Sequence, residues 1–176
     1  MNENIGFKLI VSYLENLGIL HTEVKKTFRW NSDEINNALP RGVALPLMLV
    51  DAPQKAESKV GKASATFNRH TCAFTILGKP GTSTAQFSAY VRQNEVIAYC
   101  EEICDQIQNR IEADQLVHSF TNGDRNWLYG LLIEASFEGF KVGPVFSDRL
   151  YGYRVEFALR SKRCKEVDFS KWEDLS

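Results

Sequence analysis

The sequence predicts an α+β fold, a mostly antiparallel sheet with an N-terminal helix and one long central helix packed on one of its faces. A helical stripe of apolar residues through 96–111 is the first observation that predicts it, and a clean alternation of apolar and polar residues through 151–160 is the second. The third is the order of the segments, in which three extended runs separate the two helices and two more follow.

Residues 4–17 have the pattern of an amphipathic helix. Asn2 or Asn4 is expected to cap its start, because the side-chain oxygen accepts a hydrogen bond from a free backbone N–H. Gly18 is expected to end the helix in a left-handed conformation. The apolar face recurs at three- and four-residue steps and consists of Phe7, Ile10, Val11, Leu14 and Leu17.

Two extended segments are predicted next. Residues 20–30 should place Val24, Phe28 and Trp30 on one face. Residues 43–50 are apolar on both parities, which fits a strand that is buried on both faces.

A polar segment follows this buried run. Residues 51–64 predict a surface loop or a long hairpin connection, with ordering on a partner as the alternative. In the strand before it, Pro46 has no N–H to donate and is expected at a sheet edge or near the strand start. The lysines of the loop are candidate interface residues: Lys55, Lys59 and Lys62.

The middle of the chain predicts one strand and the long helix. Residues 65–77 alternate in the manner of a strand. Residues 86–114 predict the helix, and polar side chains opposite its apolar stripe indicate that it covers one face of a sheet. The stripe consists of Val96, Ile97, Cys100, Ile103, Cys104, Ile107 and Ile111.

The last third predicts a long hairpin. Residues 131–138 and 151–160 alternate, and turn residues stand at 143–144 and 147–148. The return strand is expected to have one wet face. Surface ion pairs across the hairpin, worth about 0.2–1 kcal/mol each, are expected among Glu134, Glu138, Arg154 and Arg160.

Length and composition predict one domain. The chain has 176 residues, and we expect residues 1–164 to form a single α+β domain with residues 165–176 as a C-terminal extension. Two aromatic residues of this polar extension, Phe169 and Trp172, are costly to leave in water, because burying each is worth about 1.5–3 kcal/mol. They should pack on the chain's own body or on a neighbouring chain, which makes them candidate interface residues.

Charge and hydropathy argue against several classes of partner. The formal net charge is −1, from 21 basic and 22 acidic residues, so neither nucleic acid nor an anionic membrane is an expected partner. No apolar stretch approaches the roughly 18 residues of a membrane span, and the 4 cysteines are too scattered for a disulfide framework. The expected protein is soluble and cytoplasmic, with free thiols.

Groups that could carry chemistry are few. Cys100 and Cys104 lie within the apolar stripe and are expected to pack in the core. Cys72 and His70 are two apart on a strand, which permits a cysteine–histidine enzyme as a weak alternative. The sequence contains no His-x-His or His-x-x-x-His pair that would suggest zinc. We therefore expect no catalytic residue, no metal and no cofactor.

The order of elements resembles that of the tail terminator, or tail completion, proteins of long-tailed phages. Residues 143–153, GPVFSDRLYGY, look like the turn and closing aromatic strand of that family. This chain is longer than the family pattern, with the 51–64 segment and the extension. The elements that match are an amphipathic helix, an apolar strand with a proline, an alternating strand, a long helix and a final hairpin, at 7–17, 45–50, 66–77, 96–111 and 137–159.

The resemblance implies a structural protein without an active site. Such proteins form a ring, usually a hexamer, that caps the tail tube in the host cell, stops its polymerisation and meets the head connector in the virion. A small-molecule or peptide-binding module is the alternative function. Its pocket would lie between the long helix and the closing aromatic strand and would be lined by Trp127, Tyr151 and Tyr153.

Overall fold

A computed structural model describes residues 6–30, 42–59, 66–82, 86–119, 126–129, 132–133 and 137–162. Within these ranges the chain forms two helices and a sheet of seven strands. The helices are α1 (Phe7–Leu20) and α2 (Gln86–Leu116). The strands are β1 (Lys26–Trp30), β2 (Leu47–Asp51), β3 (Gln54–Lys59), β4 (Thr66–Gly78), β5 (Leu132–Ile133), β6 (Glu138–Val145) and β7 (Leu150–Lys162).

The two longest strands, β4 and β7, form the centre of the sheet. They pair along almost their whole length, from Phe67 opposite Lys162 to Gly78 opposite Tyr151. The order is β1-β2-β4-β7-β5, with β3 also beside β4 and β6 also beside β7. β1 runs parallel to β2, and the other described pairs are antiparallel. The predicted α+β fold with a mostly antiparallel sheet is confirmed.

Both helices lie on the same face of this sheet and share one core with it. α2 forms because its sequence contains neither Gly nor Pro and repeats its apolar residues at helical spacing. Its polar side keeps Glu101, Glu102 and Asp105 exposed. The predicted stripe is confirmed in its central part, where the residues at most 2% exposed are Cys100, Ile103, Cys104, Ile107 and Ile111.

Hydrogen bonds fasten the end of α2 to α1 and to the following turn. The Tyr13 hydroxyl donates to one carboxylate oxygen of Asp114 at 2.9 Å, and Arg110 Nε donates to the other at 2.8 Å. The buried Asn126 amide donates to the carbonyls of Asp114 at 2.5 Å and Val117 at 2.8 Å. These bonds satisfy acceptors that a helix end otherwise leaves free.

The opposite face of the sheet carries no helix in the described part of the chain. A second apolar cluster covers one end of this helix-free face, so the expectation of one wet face on β7 is wrong there. Gly152 is buried because both its neighbours across the sheet, Leu77 and Val142, belong to this cluster. The fully buried members of the cluster are Leu47, Leu49, Leu77 and Leu150.

β2 confirms the predicted strand that is buried on both faces. Its first four residues, Leu47 to Val50, are at most 1% exposed, and they alternate between the helix core and the second cluster. Pro46 directly precedes the strand, where its missing N–H costs no ladder bond. The Pro46 carbonyl instead accepts a hydrogen bond from the Lys25 N–H at 2.8 Å.

α1 continues to Leu20, past its predicted end at Gly18. Gly18 is buried inside the helix. A Cβ at this position would meet Thr27 Oγ1 at 2.5 Å and Met48 Sδ at 2.7 Å, so only glycine lets the helix approach the sheet this closely. The absent side chain therefore serves close packing of the helix on the sheet and not a left-handed stop. The predicted caps, Asn2 and Asn4, lie outside the described residues.

Two predictions for extended segments are wrong. Val24 lies in the core between the helices and the sheet, whereas Phe28 packs in the second cluster on the opposite face, so the two do not share a face. The side chain of Trp30 is not among those described. Residues 54–59, predicted as part of a loop, form β3. They do so because residues 66–71 of β4 pair with them. The ladder satisfies the backbone hydrogen-bonding groups of a segment whose side chains show no apolar periodicity.

The predicted hairpin exists as β6 and β7, joined by the turn 146–149, with β5 as a separate short strand. The predicted pairing of Arg154 with Glu138 is wrong, because Glu138 lies opposite Glu156. Arg154 reaches instead to Asp51 of β2 and to Glu156 on its own strand. Glu134 lies outside the described residues.

We predict that Gly152→Ala destabilises the fold. The new Cβ would overlap the Ile76 carbonyl oxygen on β4, and that oxygen is held in the central ladder of the sheet. We expect the free energy of unfolding in urea to fall by at least about 1–3 kcal/mol.

Gly81→Ala is the matched control for this substitution. Its Cβ would meet only the exposed Arg92 side chain, which is free to move aside, so the change should stay within about 0.5 kcal/mol. Equal losses in the two variants would contradict the close approach of β4 and β7.

Candidate functional site

A groove of about 500 Å³ lies between the first half of α2 and the end of the β6–β7 hairpin. One helical face supplies one wall, which includes Tyr90, Gln93 and Ile97. β6 and the start of β7 supply the other wall, which includes Val142 and Tyr151. The volume is within the range of about 300–1,000 Å³ that is usual for ligand sites, and the lining mixes apolar surface with hydrogen-bonding groups.

The charged side chains that line the groove are both cations. Lys141 comes from β6 and Arg149 from the turn, and no described Asp or Glu lines the groove. Neither cation has an ion-pair partner within the described ranges. Asp148, the neighbour of Arg149, pairs with Lys79 at 3.8 Å. An anionic group entering the groove would therefore find two cations not already engaged by carboxylates.

The turn 146–149 holds Arg149 in a left-handed conformation. Phe146 packs in the second cluster, and its carbonyl accepts a hydrogen bond from the Arg149 N–H at 3.0 Å. The φ angles of Phe146 and Arg149 are 59° and 50°, a conformation that costs a residue with a side chain about 1–2 kcal/mol. Such residues concentrate at functional sites. The turn is thus anchored on the helix-free face and contributes a cation to the groove.

The structure separates the three residues predicted to line a pocket. Tyr151 lines the groove. Tyr153 covers Gly139 and lies beside Glu101 of α2. Trp127 packs edge-on against Tyr13 with ring centroids 5.6 Å apart, near the far end of α2. The groove and Trp127 are therefore at opposite ends of the long helix.

The five candidate interface residues fall largely outside the description. Lys55 is exposed on β3. Lys59 ends β3, but its side chain is not described, and Lys62, Phe169 and Trp172 lie outside the described residues.

A partly buried ionic network occupies the helix-free face beyond the second cluster. The Arg154 guanidinium donates to both Asp51 carboxylate oxygens, at 2.5 and 3.0 Å, and to Glu156 at 2.9 Å. It also donates to Thr75 Oγ1 at 3.3 Å, so the network crosses three adjacent strands. The bidentate geometry gives this pair a fixed orientation. The network ties β2, β4 and β7 together on the face that has no helix in the described chain.

The structure gives no activated cysteine at the predicted cysteine–histidine pair. The Cys72 thiol donates to the backbone carbonyl of His70 at 3.5 Å, and burial raises the pKa of that thiol to about 12. The His70 ring lies 3.2 Å from Ser161 Oγ, with both side chains buried. Burial and then Lys55 lower the pKa of His70, which favours a neutral imidazole. A thiol held protonated in this way is a poor nucleophile.

The remaining described cysteines pack in the core, as predicted. Cys100 and Cys104 are fully buried, and burial raises the pKa of Cys100 to about 12. Across the described ranges, no group of three or more His, Cys, Asp or Glu side chains is arranged to hold a metal ion. No helix in the same part of the chain is both long and apolar enough to cross a membrane.

No family model matches this chain, and no curated protein matches it significantly. Three features of the molecule itself bear on its function: the cationic groove, the helix-free face and the outer edges of the sheet.

The cations of the groove were not among the residues predicted for any site. Turn residues at 143–144 and 147–148 do signal the end of a hairpin, and basic side chains beside such a turn lie at the end of a sheet. The sequence carries no signal that places Lys141 and Arg149 in the same groove as Gln93, because that placement depends on where α2 crosses the sheet.

We predict that Cys72 is unreactive in the native protein. A pKa of about 12 leaves very little thiolate at pH 8, so labelling should be more than about 100-fold slower than that of a free cysteine. Mass spectrometry of the labelled peptides measures the rate, and the same reaction in denaturant is the control. Native labelling of Cys72 faster than that of a free cysteine would restore the cysteine–histidine alternative.

Proposed function

We propose that this protein is a structural assembly protein of the phage or prophage tail type, one that forms a ring in the manner of a tail terminator. The observation that carries the proposal is the position of the two helices. Both cover one face of a single sheet and leave its outer strands uncovered at the sides. Among the described residues, β1 and β3 on one side and β5 and β6 on the other each pair with one strand only, so β1 and β6 present free edges on opposite sides.

Two free edges at opposite sides of one sheet favour head-to-tail association. If β6 of one copy pairs with β1 of the next, each copy uses a different surface for each neighbour. Repetition of such a heterologous contact gives a closed ring when the rotation divides a full turn, and a filament otherwise. Backbone hydrogen bonds between edge strands supply affinity in many protein interactions.

The charges on these edges favour selective pairing over general aggregation. β1 exposes Lys26 and Arg29, and β6 exposes Glu138 and Lys141. Charged side chains on edge strands oppose unselective pairing with other chains. Exposed Phe140, 44% accessible, lies between the two charges of β6 and offers apolar contact at the same edge.

The proposed ring would act in the host cell and in the assembled virion. Its partners would be the end of a tail tube on one side and a head connector on the other. This role requires no catalytic group, and the buried, protonated thiols of the core are compatible with it.

We predict one discrete oligomer at high concentration, with a mass that is a whole multiple of 20.0 kDa. Sedimentation velocity over a concentration series measures it. Phe140→Lys should weaken the oligomer about tenfold or more, because an added charge on an edge strand opposes pairing.

Phe7→Lys provides the matched control, since Phe7 is also exposed, at 51%, but lies on α1. It should leave the oligomer unchanged. A wild-type protein that remains monomeric at all concentrations would overturn the proposal.

The groove favours a second candidate function, binding of a small molecule or peptide. Its two cations, its tyrosines and its volume of about 500 Å³ suit an anionic ligand with an apolar part. In a thermal-shift screen of carboxylate and phosphate compounds, such a ligand should raise the unfolding midpoint, and Arg149→Gln should reduce that shift. A screen without any shift would count against this candidate.

A further inference from the structure

We propose that the groove between α2 and the β6–β7 hairpin binds the acidic aromatic segment 166–174 of a neighbouring copy of this chain. This inference rests on the proposed assembly function and names the contact that holds adjacent copies together. The groove adjoins β6, so the segment would bind next to the same sheet edge that is proposed to pair with β1.

Charge complementarity is the first argument. The segment carries four acidic residues, Glu166, Asp168, Glu173 and Asp174, against the single base Lys171. The groove offers Lys141 and Arg149 and, within the described chain, no carboxylate. Exposed ion pairs in water contribute little affinity, so charge orients the segment more than it holds it.

An aromatic anchor supplies the second argument. Trp172 directly precedes the acidic pair 173–174. Ile97 and Pro144 give the groove apolar surface, and Tyr90, 60% exposed, also lines it. Burying an aromatic side chain is strongly favourable, and Trp is among the residues that dominate binding energy at interfaces. A Trp followed by two acids matches a lining that combines apolar side chains with two cations.

The reach of the chain favours a neighbouring copy as the source of the segment. β7 starts at the groove and ends at Lys162, so the groove is about 36 Å from the last described residue. Trp172 is ten residues further on, and ten fully extended residues span at most about 33–36 Å. A random-coil chain of ten residues has a typical end-to-end distance of only about 17–19 Å. Binding to the chain's own groove would require nearly complete extension along an unobstructed path.

Charge reversal in full-length chains tests the contact. The groove variant is Lys141→Glu with Arg149→Glu, and the segment variant is Glu173→Lys with Asp174→Lys. Sedimentation velocity should show that each variant alone assembles at least about tenfold more weakly than the wild type, because like charges then face each other. Trp172→Ala should weaken assembly to a similar extent through loss of the apolar anchor.

Mixing the two variants distinguishes a neighbouring copy from the same chain. In a 1:1 mixture every groove can meet a segment of opposite charge from the other variant, so the wild-type oligomer should return. A chain that carries all four substitutions should also assemble. Recovery in the four-substitution chain without recovery in the mixture would show that the segment binds its own groove, which would overturn the proposal.

Other outcomes separate this inference from the proposed function. If the wild type assembles and both variants assemble equally well, the groove contact is wrong and the ring proposal stands. If the wild type stays monomeric, the groove contact and the ring proposal both fail. A thermal shift with small anions would then assign the groove to a small-molecule ligand.

Two controls guard against misfolding. Lys8→Glu reverses one exposed charge on α1, away from the groove, and should not affect assembly. Circular dichroism and the thermal midpoint establish that each variant is folded. Should the groove variant fail to fold, Lys141→Gln with Arg149→Gln removes the charges without reversing them and should still weaken assembly, whereas unchanged assembly would reject the contact.

Discussion

The packing of α2 across the β4–β7 ladder is the constraint on which the rest of this structure depends. The buried stripe from Cys100 to Ile111 meets alternate residues of both strands, so the helix and the centre of the sheet fold as one unit. Each large apolar side chain buried there contributes about 1.5–3 kcal/mol. α1 joins the same face through Gly18, and the Tyr13–Asp114 hydrogen bond fixes the two helices to each other. Once both helices occupy one face, the other face and the outer strands are left for other contacts.

The helix-free face is stabilised by different means at its two ends. Near the β6–β7 turn, the second apolar cluster includes Phe146, and this contact fixes the turn that carries Arg149. Further along, the Arg154–Asp51 pair crosses β4 and links strands that are not adjacent. Hydrogen bonds to charged groups contribute about 1.5–3 kcal/mol each, so this network secures the sheet where no described helix covers it. The groove follows from the packing of α2 on the sheet and from the anchored turn, because α2 supplies one wall and the turn supplies part of the other.

Periodic burial is the part of this structure that the sequence predicts best. The central part of the α2 stripe and the two-sided burial of β2 each follow from one segment and its own spacing. Contacts between distant segments are harder to predict. β3 has no apolar periodicity and is a strand only because β4 pairs with it, and Arg154 is 103 residues from Asp51. Gly18 shows a related ambiguity, since the same residue type ends helices and permits their close approach. The groove belongs to this second class, and its cations could not be assigned from local pattern.

The most direct test is amide hydrogen exchange of the full-length chain, compared at low and at assembling concentration. It measures whether the helix-covered face is a closed core and whether assembly uses the outer strands and the groove. We expect new protection on assembly in β1, in β6, around Arg149 and in residues 166–174. We expect no change in the already slow amides of Cys100–Ile111 and of β4. New protection confined to the polar side of α2, around Glu101 and Asp105, with unchanged exchange in β1 and β6, would contradict it.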